Sequence, residues 1–256
     1  MIKENLKNKF PTWYEDLDPQ KYYLVMSDDF DSYYSCNVLI DLFGLEIGGF
    51  YSFTSGLWLN KEKTEDKEPI YVDLSISTGK TFDNHMTFIK NPNAINPNIG
   101  VKTYFRKYNG STLALICALY DYDVNKPNRL TTLLCVDGWY FGYYNQNGKY
   151  RDINMYWFDE FGLSDKLLPI LQANDRDYFV NYIQKYNLNA NINMRNKKLQ
   201  CSVNVPLPEY EFELALPVHR HKMSKEQAQE IYLKDNNAIF TSAETFNNSY
   251  ILSTRG

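Results

Sequence analysis

The sequence predicts an α/β fold: a mainly parallel sheet flanked by helices, with a smaller C-terminal α+β domain. Three observations predict it. Short apolar runs alternate with stretches of helical periodicity. Aspartates stand where the apolar runs end, and parallel sheets bind ligands beyond the carboxyl ends of their strands. From residue 190 onward the pattern changes to strand-like runs around one capped helix.

Tyr22-Tyr23-Leu24-Val25-Met26 is short and aromatic, which suits a buried strand. It leads into Asp28-Asp29-Phe30-Asp31-Ser32. Residues 33–43 then carry Tyr34, Val38, Leu39, Leu42 and Phe43 at helical spacing, and Gly44 stops that helix. Residues 46–53 read as a second strand, and the charged stretch 61–68 as a surface loop. A third strand, 69–76, contains Ile70-Tyr71-Val72-Asp73, and a short apolar stretch surrounds Asp83. Two prolines and four asparagines in 91–100 predict a loop. Residues 111–120 are apolar after a Ser-Thr start, a helix N-terminus. The apolar segment 130–136 runs directly into Asp137. Residues 163–186 read as helical, and 199–205 and 210–216 as strands. Residues 223–234 form a helix capped by Ser224 with Gln227 three positions on. Residues 238–241 and 249–253 are the closing strands. The resulting division is 1–160, a helical connector over 161–189, and a small α+β unit over 190–256.

The 256 residues allow one large domain or a medium and a small one. Net charge is −4, and the basic clusters at 195–198 and 219–222 are short, so a long nucleic-acid duplex is not an expected partner. An ordinary acidic cytosolic protein explains the charge equally well. The four cysteines have no CxxC spacing and read as reduced, mostly buried thiols. Residues 1–11 are charged without an apolar stretch, and no run of 18 apolar residues occurs, so the expected location is the cytoplasm and no membrane is involved. The abundance of Tyr, Asn and Lys suggests an AT-rich genome, such as that of a phage acting in its host or of a low-GC bacterium. Oligomeric state is left open.

Asp29, Asp31, Asp73, Asp83, His85 and Asp137 carry the chemistry. Divalent Mn²⁺ or Mg²⁺ takes oxygen ligands, and Mn²⁺ also accepts imidazole. Two such ions need a bridging carboxylate, for which Asp73 is placed, and several terminal ones. Taken singly, a loop Asp before a helix is an ordinary N-cap, Asp73 a turn residue and His85 a satisfied histidine. Together, Asp29, Asp31, Asp73 and Asp137 are strand-end carboxylates expected to converge.

The order of these motifs resembles the DHH phosphoesterase superfamily, which includes RecJ-type nucleases and nanoRNases. The likeness covers about residues 20–145: Ser27-Asp28-Asp29-Phe30-Asp31-Ser32, Ile70-Tyr71-Val72-Asp73, Asp83-Asn84-His85, Asn109-Gly110-Ser111-Thr112-Leu113 and Val136-Asp137-Gly138. The resemblance implies two Mn²⁺ or Mg²⁺ ions held by Asp29, Asp31, Asp73, Asp83, His85 and Asp137, with Asp83 and His85 in the catalytic role. It further implies a substrate phosphate held by Asn84, Ser111 and Arg255; charge balance adds His219 and Arg220, and at least one of Arg255 and the 219–221 cluster is expected to face the acids across a cleft. Tyr250-Ile251-Leu252-Ser253-Thr254-Arg255 looks like the family's phosphate-holding strand, and Arg suits that work through its planar fork. The implied activity is hydrolysis of a short oligonucleotide or a nucleotide-type substrate. The sequence departs from the family at Asn84, where the middle His of Asp-His-His would stand, and at Ser27, where a stronger ligand often stands. Those departures leave a second expectation open: a catalytically degenerate fold serving as a nucleotide- or protein-binding module.

Other patterns are poorer. Asp29-Phe30-Asp31-Ser32 also resembles the nucleophile loop of haloacid-dehalogenase-type phosphatases, which leaves Asp73, Asp83 and His85 unexplained. His219-Arg220-His221 could bind metal or phosphate, or be a solvated loop. Residues 75–80 lack the phosphate loop's spacing.

Overall fold

A computed structural model describes residues 1–126, 128–145 and 148–256. In chain order its elements are α1 (Glu4–Lys7), β1 (Tyr22–Met26), α2 (Phe30–Phe43), β2 (Ile47–Ser52), β3 (Gly56–Leu59), α3 (Lys61–Thr64), β4 (Glu68–Val72), β5 (Lys80–Phe82) and β6 (Ala94–Ile95). There follow α4 (Thr112–Leu119), α5 (Arg129–Cys135), α6 (Tyr140–Tyr143), α7 (Lys149–Glu160), α8 (Ser164–Ala173) and α9 (Arg176–Tyr186). The chain closes with β7 (Ile192–Arg195), β8 (Lys198–Cys201), β9 (Glu213–Leu216), β10 (Val218–Ser224), α10 (Lys225–Lys234), β11 (Ile239–Phe246) and β12 (Ser249–Arg255).

Seven strands form one sheet in the order β6-β5-β4-β1-β2-β3-β9. β6, β5, β4, β1 and β2 run parallel, whereas β3 and β9 form an antiparallel margin. Both faces of the parallel part are buried, which is why its strands read as nearly continuous apolar runs. Leu24, Met26, Ile70, Val72 and Phe50 point to one face, where residues of α2, α4, α5, α7, α8 and α9 complete the main core. Tyr23, Val25, Tyr51 and Tyr71 point to the other, where Phe240 from β11 joins them. The long helices therefore gather on one side, and the C-terminal strands cover part of the other.

Helix boundaries follow local chemistry. Asp29 caps α2 by accepting from the Ser32 N–H, and Gly44, at φ +68°, ends it by donating to the Ile40 carbonyl. Every residue of α4 is buried, and Ser111 caps it through the Ala114 N–H. Ser224 and Gln227 form a complete capping box at α10.

Several segments differ from the sequence-based expectation. The apolar segment 130–136 is mostly helix α5 and not a strand, because seven apolar-rich residues suit a buried helix and a buried strand equally. The loop 91–100 contains the two-residue strand β6, and the charged stretch 61–68 holds the short helix α3. Residues 219–222 lie within strand β10 and not in a loop.

β10, β12 and β11 form a separate antiparallel sheet, with α10 against it. It docks on the connector after β4: the Ser77 N–H donates to the Phe240 carbonyl, and the Ser242 N–H to the Ser75 carbonyl. The Tyr51 hydroxyl donates to Ser253 Oγ (2.7 Å) in the buried seam. Among the described residues no helix is long and apolar enough to cross a membrane.

Candidate functional site

Three successive strand ends deliver the acidic residues to one edge of the sheet. Asp29 and Asp31 follow β1, Asp73 follows β4 and Asp83 follows β5; these strands are direct neighbours. This is the position at which parallel sheets bind ligands. Asp137 arrives differently. It follows helix α5, so it is not a strand-end carboxylate, yet Asn84 Nδ2 donates to its Oδ2 (2.7 Å) and ties it to the same edge.

Asp31 and Asp73 form the buried floor. Asp31 accepts from the Thr112 and Leu113 N–H groups at 2.7 and 2.8 Å, buried amides of the first turn of α4 that have no partner within the helix. That helix N-terminus favours a carboxylate. Asp73 adopts a left-handed backbone, φ +58°, which Asp tolerates better than most residues. The turn aims its carboxylate back at α4, where Oδ1 accepts from Thr112 Oγ1 at 2.8 Å. One threonine thus links the first two acidic motifs.

Asp83 has a different job. Its Oδ1 accepts from the His85 N–H and pairs with His85 Nδ1 at 2.8 Å, and its Oδ2 accepts from Asn96 Nδ2 at 2.8 Å. Both oxygens orient neighbours, and among the described residues His85 Nε2 has no hydrogen-bond partner. A carboxylate holding the far nitrogen of a ligand histidine is the usual supporting arrangement at metal sites.

Asn84 Nδ2 also donates to the Gly110 carbonyl at 2.8 Å. Two acceptors fix the amide orientation, so Oδ1 faces the other way, buried and without a partner among the described residues. Asn98 clamps this region from behind, donating to the Asn84 carbonyl at 2.6 Å and the Tyr108 carbonyl at 3.1 Å.

The electrostatics record crowding. Burial, then the charges of Asp73, Asp137 and Asp29, push Asp31 well above the ordinary carboxyl range. Burial, then Asp29 and Asp137, do the same to Asp73, against the opposing pull of His85. Burial, then the charge of Asp29, push Asp137 up to about 6 against the opposing pull of His85, and because the residue is exposed, water screens part of that effect. Burial opposes the charged form of His85, but the hydrogen bond and charge of Asp83, with Asp73 and Asp137, hold it up to about 9. A floor of buried carboxylates that repel one another is what a bound cation would relieve.

The remaining expected residues are dispersed. Ser111 Oγ is used in capping α4. Arg255 Nε donates to the Asn237 carbonyl, and its guanidinium lies over Phe240; among the described residues it forms no ion pair with the acidic group. His219 is exposed. Arg220 lies over Phe53, and its charge reaches Asp28, which burial and Asp29 push up to about 6. Sequence reasoning read Thr112 only as part of a helix start, and missed the bracing roles of Asn96 and Asn98. The Asn-rich stretch signalled a loop, but nothing in it distinguished turn-forming asparagines from ones that brace a motif.

No three His, Cys, Asp or Glu side chains among the described residues are arranged as ligands of one metal ion. The donor set nonetheless fits a hard divalent ion in its chemistry: repelling carboxylates and, among the described residues, an imidazole with a free Nε2 and the unpartnered Asn84 Oδ1. Compared with known proteins, the chain matches no family model, no curated protein and no solved structure.

Proposed function

We propose that this protein is a metal-dependent phosphoesterase of DHH-like design, acting on a short oligonucleotide or a nucleotide-type substrate. One observation carries the reading: Asp31 and Asp73, from two neighbouring strand ends, are buried together against Thr112, with Asp29, Asp137 and His85 close enough to perturb them. Left-handed backbone at Asp73 is a local cost that its surroundings must sustain, and such sites favour function.

Asp29, Asp31, Asp73, Asp137 and His85 would hold Mn²⁺ or Mg²⁺, two ions in the resembled design. Divalent ions bound there supply Lewis acidity and a reactive water for displacement at phosphorus. The chain's own groups do the rest. Asp83 fixes the ring of His85 through Nδ1, and His85 must lose the proton that Asp83 favours at Nε2 before that atom ligates a metal. Asn84 fixes Asp137. Thr112 fixes Asp73. A cavity of about 680 Å³ adjoins Asp83 and His85, with Met86, Phe88 and Ile99 among its walls, a size suited to a nucleotide, and a separate one of about 220 Å³ is lined by Asp29 and Asp31.

The second reading, a degenerate binding module, has its own support: Asn84 acts as a strut between Gly110 and Asp137, where the family pattern has an imidazole. Incubation with Mn²⁺ and a panel of short oligonucleotides and dinucleotides separates the two. Turnover that disappears in Asp73→Asn supports the enzyme. Tight nucleotide binding with no turnover on any substrate supports the module.

A further inference from the structure

A cleft lined by carboxylates repels phosphate, because the ligands cancel much of the charge of any bound ion; a cation must face it. The expected cation, Arg255, is engaged elsewhere, with the Asn237 carbonyl and the Phe240 ring. Lys107 is differently placed. The next residue, Tyr108, is buried and clamped to the acidic motif. Its N–H donates to Asn98 Oδ1 (2.6 Å), and its carbonyl shares Asn98 Nδ2 with the Asn84 carbonyl. Lys107 is therefore anchored one residue from a rigid brace behind Asn84.

Its side chain is held but not neutralised. The ammonium lies over the Tyr104 ring, 4.7 Å from the centroid, and Tyr104 is fixed by donating to the Thr245 carbonyl of β11 (2.7 Å). Lys107 thus stands where the large unit meets the C-terminal sheet. Burial pulls its ammonium below the usual lysine range, against the opposing charges of Asp137, Glu244 and Asp83, which lie within range of it. Among the described residues no carboxylate forms an ion pair with it. Glu244 is already occupied by the Asn248 N–H and the Tyr250 hydroxyl. A half-buried ammonium with no ion-pair partner, over an aromatic face and beside a cation-seeking acidic group, is suited to an anion that bridges the two.

We infer that Lys107 is the phosphate anchor of this site, binding a phosphoester oxygen of the substrate opposite Asp137. The inference rests on the phosphoesterase reading and adds to it the group that makes the cleft attractive to an anion. Lys107 is a substrate-binding residue and takes no part in holding metal.

The test measures two affinities separately. Mn²⁺ binding is followed by electron paramagnetic resonance without nucleotide, and binding of adenosine 5′-monophosphate by calorimetry at saturating Mn²⁺. The variants are Lys107→Met, which keeps the stem over Tyr104, and Lys107→Arg, which keeps the charge; melting temperatures confirm that both fold. The expected result is unchanged Mn²⁺ binding in both, nucleotide affinity about 10-fold or more weaker in Lys107→Met, the worth of one charge-assisted hydrogen bond, and recovery in Lys107→Arg. Nucleotide affinity in Lys107→Met within twofold of the unmodified protein overturns the inference. So does Mn²⁺ uptake by the unmodified protein with no affinity for the nucleotide, and that outcome leaves the metal reading standing. Failure of the unmodified protein to take up Mn²⁺ overturns the functional reading, and the inference falls with it.

Discussion

Asp31 and Asp73 are both buried acids, and substitution should separate their roles. Asp31 satisfies two backbone N–H groups of α4. Asp31→Ala strands both in the core, and each stranded donor costs about 1–3 kcal/mol, so a large fall in melting temperature is expected. Asp73→Asn retains an acceptor for Thr112 Oγ1 and suits the left-handed backbone, so it should fold with near-normal stability. Equal destabilisation by the two, measured by urea denaturation, would contradict these assignments. The same crowding predicts pH dependence. Asp137, near 3.8 when unfolded, is pushed upward, so the stability tied to its protonated form is complete below about pH 4 and lost as pH rises through about 6, by an amount that its exposure to solvent reduces. His85, near 6.5 when unfolded, is held up to about 9, so its contribution is complete below about pH 6.5 and lost as pH rises through 9. Both effects have the same sign. In chelator, the melting temperature should fall from pH 5 to pH 8; Asp137→Asn should flatten the part below pH 6, and His85→Gln the part above. A melting temperature that rises over that range would contradict the assigned directions.

At the scale of elements, legibility tracked how local the determining chemistry was. β1 followed from five consecutive apolar or aromatic residues, α2 from its spacing and Gly44, and the starts of α4 and α10 from Ser111 and Ser224. Where identity depended on distant partners, the sequence was mute. α5 and a strand have the same short apolar signature. β6 has two residues and exists because β5 lies beside it. β9 became the edge of the large sheet by pairing with β3, some 155 residues earlier in the chain (Leu57 with Leu216, Trp58 with Leu214), a contact no local pattern encodes. The acidic motifs were legible as motifs, but their brace was not. Asn98 holds residues 84 and 108 together through three hydrogen bonds. Asn98→Ala should therefore lower stability by about 2–3 kcal/mol and release both segments, visible as faster amide exchange at residues 84–85 and 108–110. Gly110 tests the same brace by space: an added Cβ would lie 2.5 Å from Tyr108 Oη and 2.6 Å from Trp139 Cδ2. Gly110→Ala should cost about 1–3 kcal/mol, and a neutral effect would show that the brace has slack.

At the scale of the whole molecule, the C-terminal sheet is attached through its backbone bonds to residues 75 and 77, the Tyr51–Ser253 hydrogen bond, Phe240 against Tyr51 and Tyr71, and Tyr104 to residue 245. The C-terminal sheet thus packs beside the Asp83–His85 segment, while Asp29, Asp31, Asp73 and Asp83 come from the strand ends of the parallel sheet and Asp137 from the end of α5. The central claim is that those acids form a divalent-metal centre, and direct titration with Mn²⁺, read by electron paramagnetic resonance, addresses it before any substrate is known. Saturable Mn²⁺ uptake by the unmodified protein, weakened at least 100-fold in a folded Asp73→Asn variant, is the expected result. No uptake, or uptake that Asp73→Asn leaves intact, would contradict it.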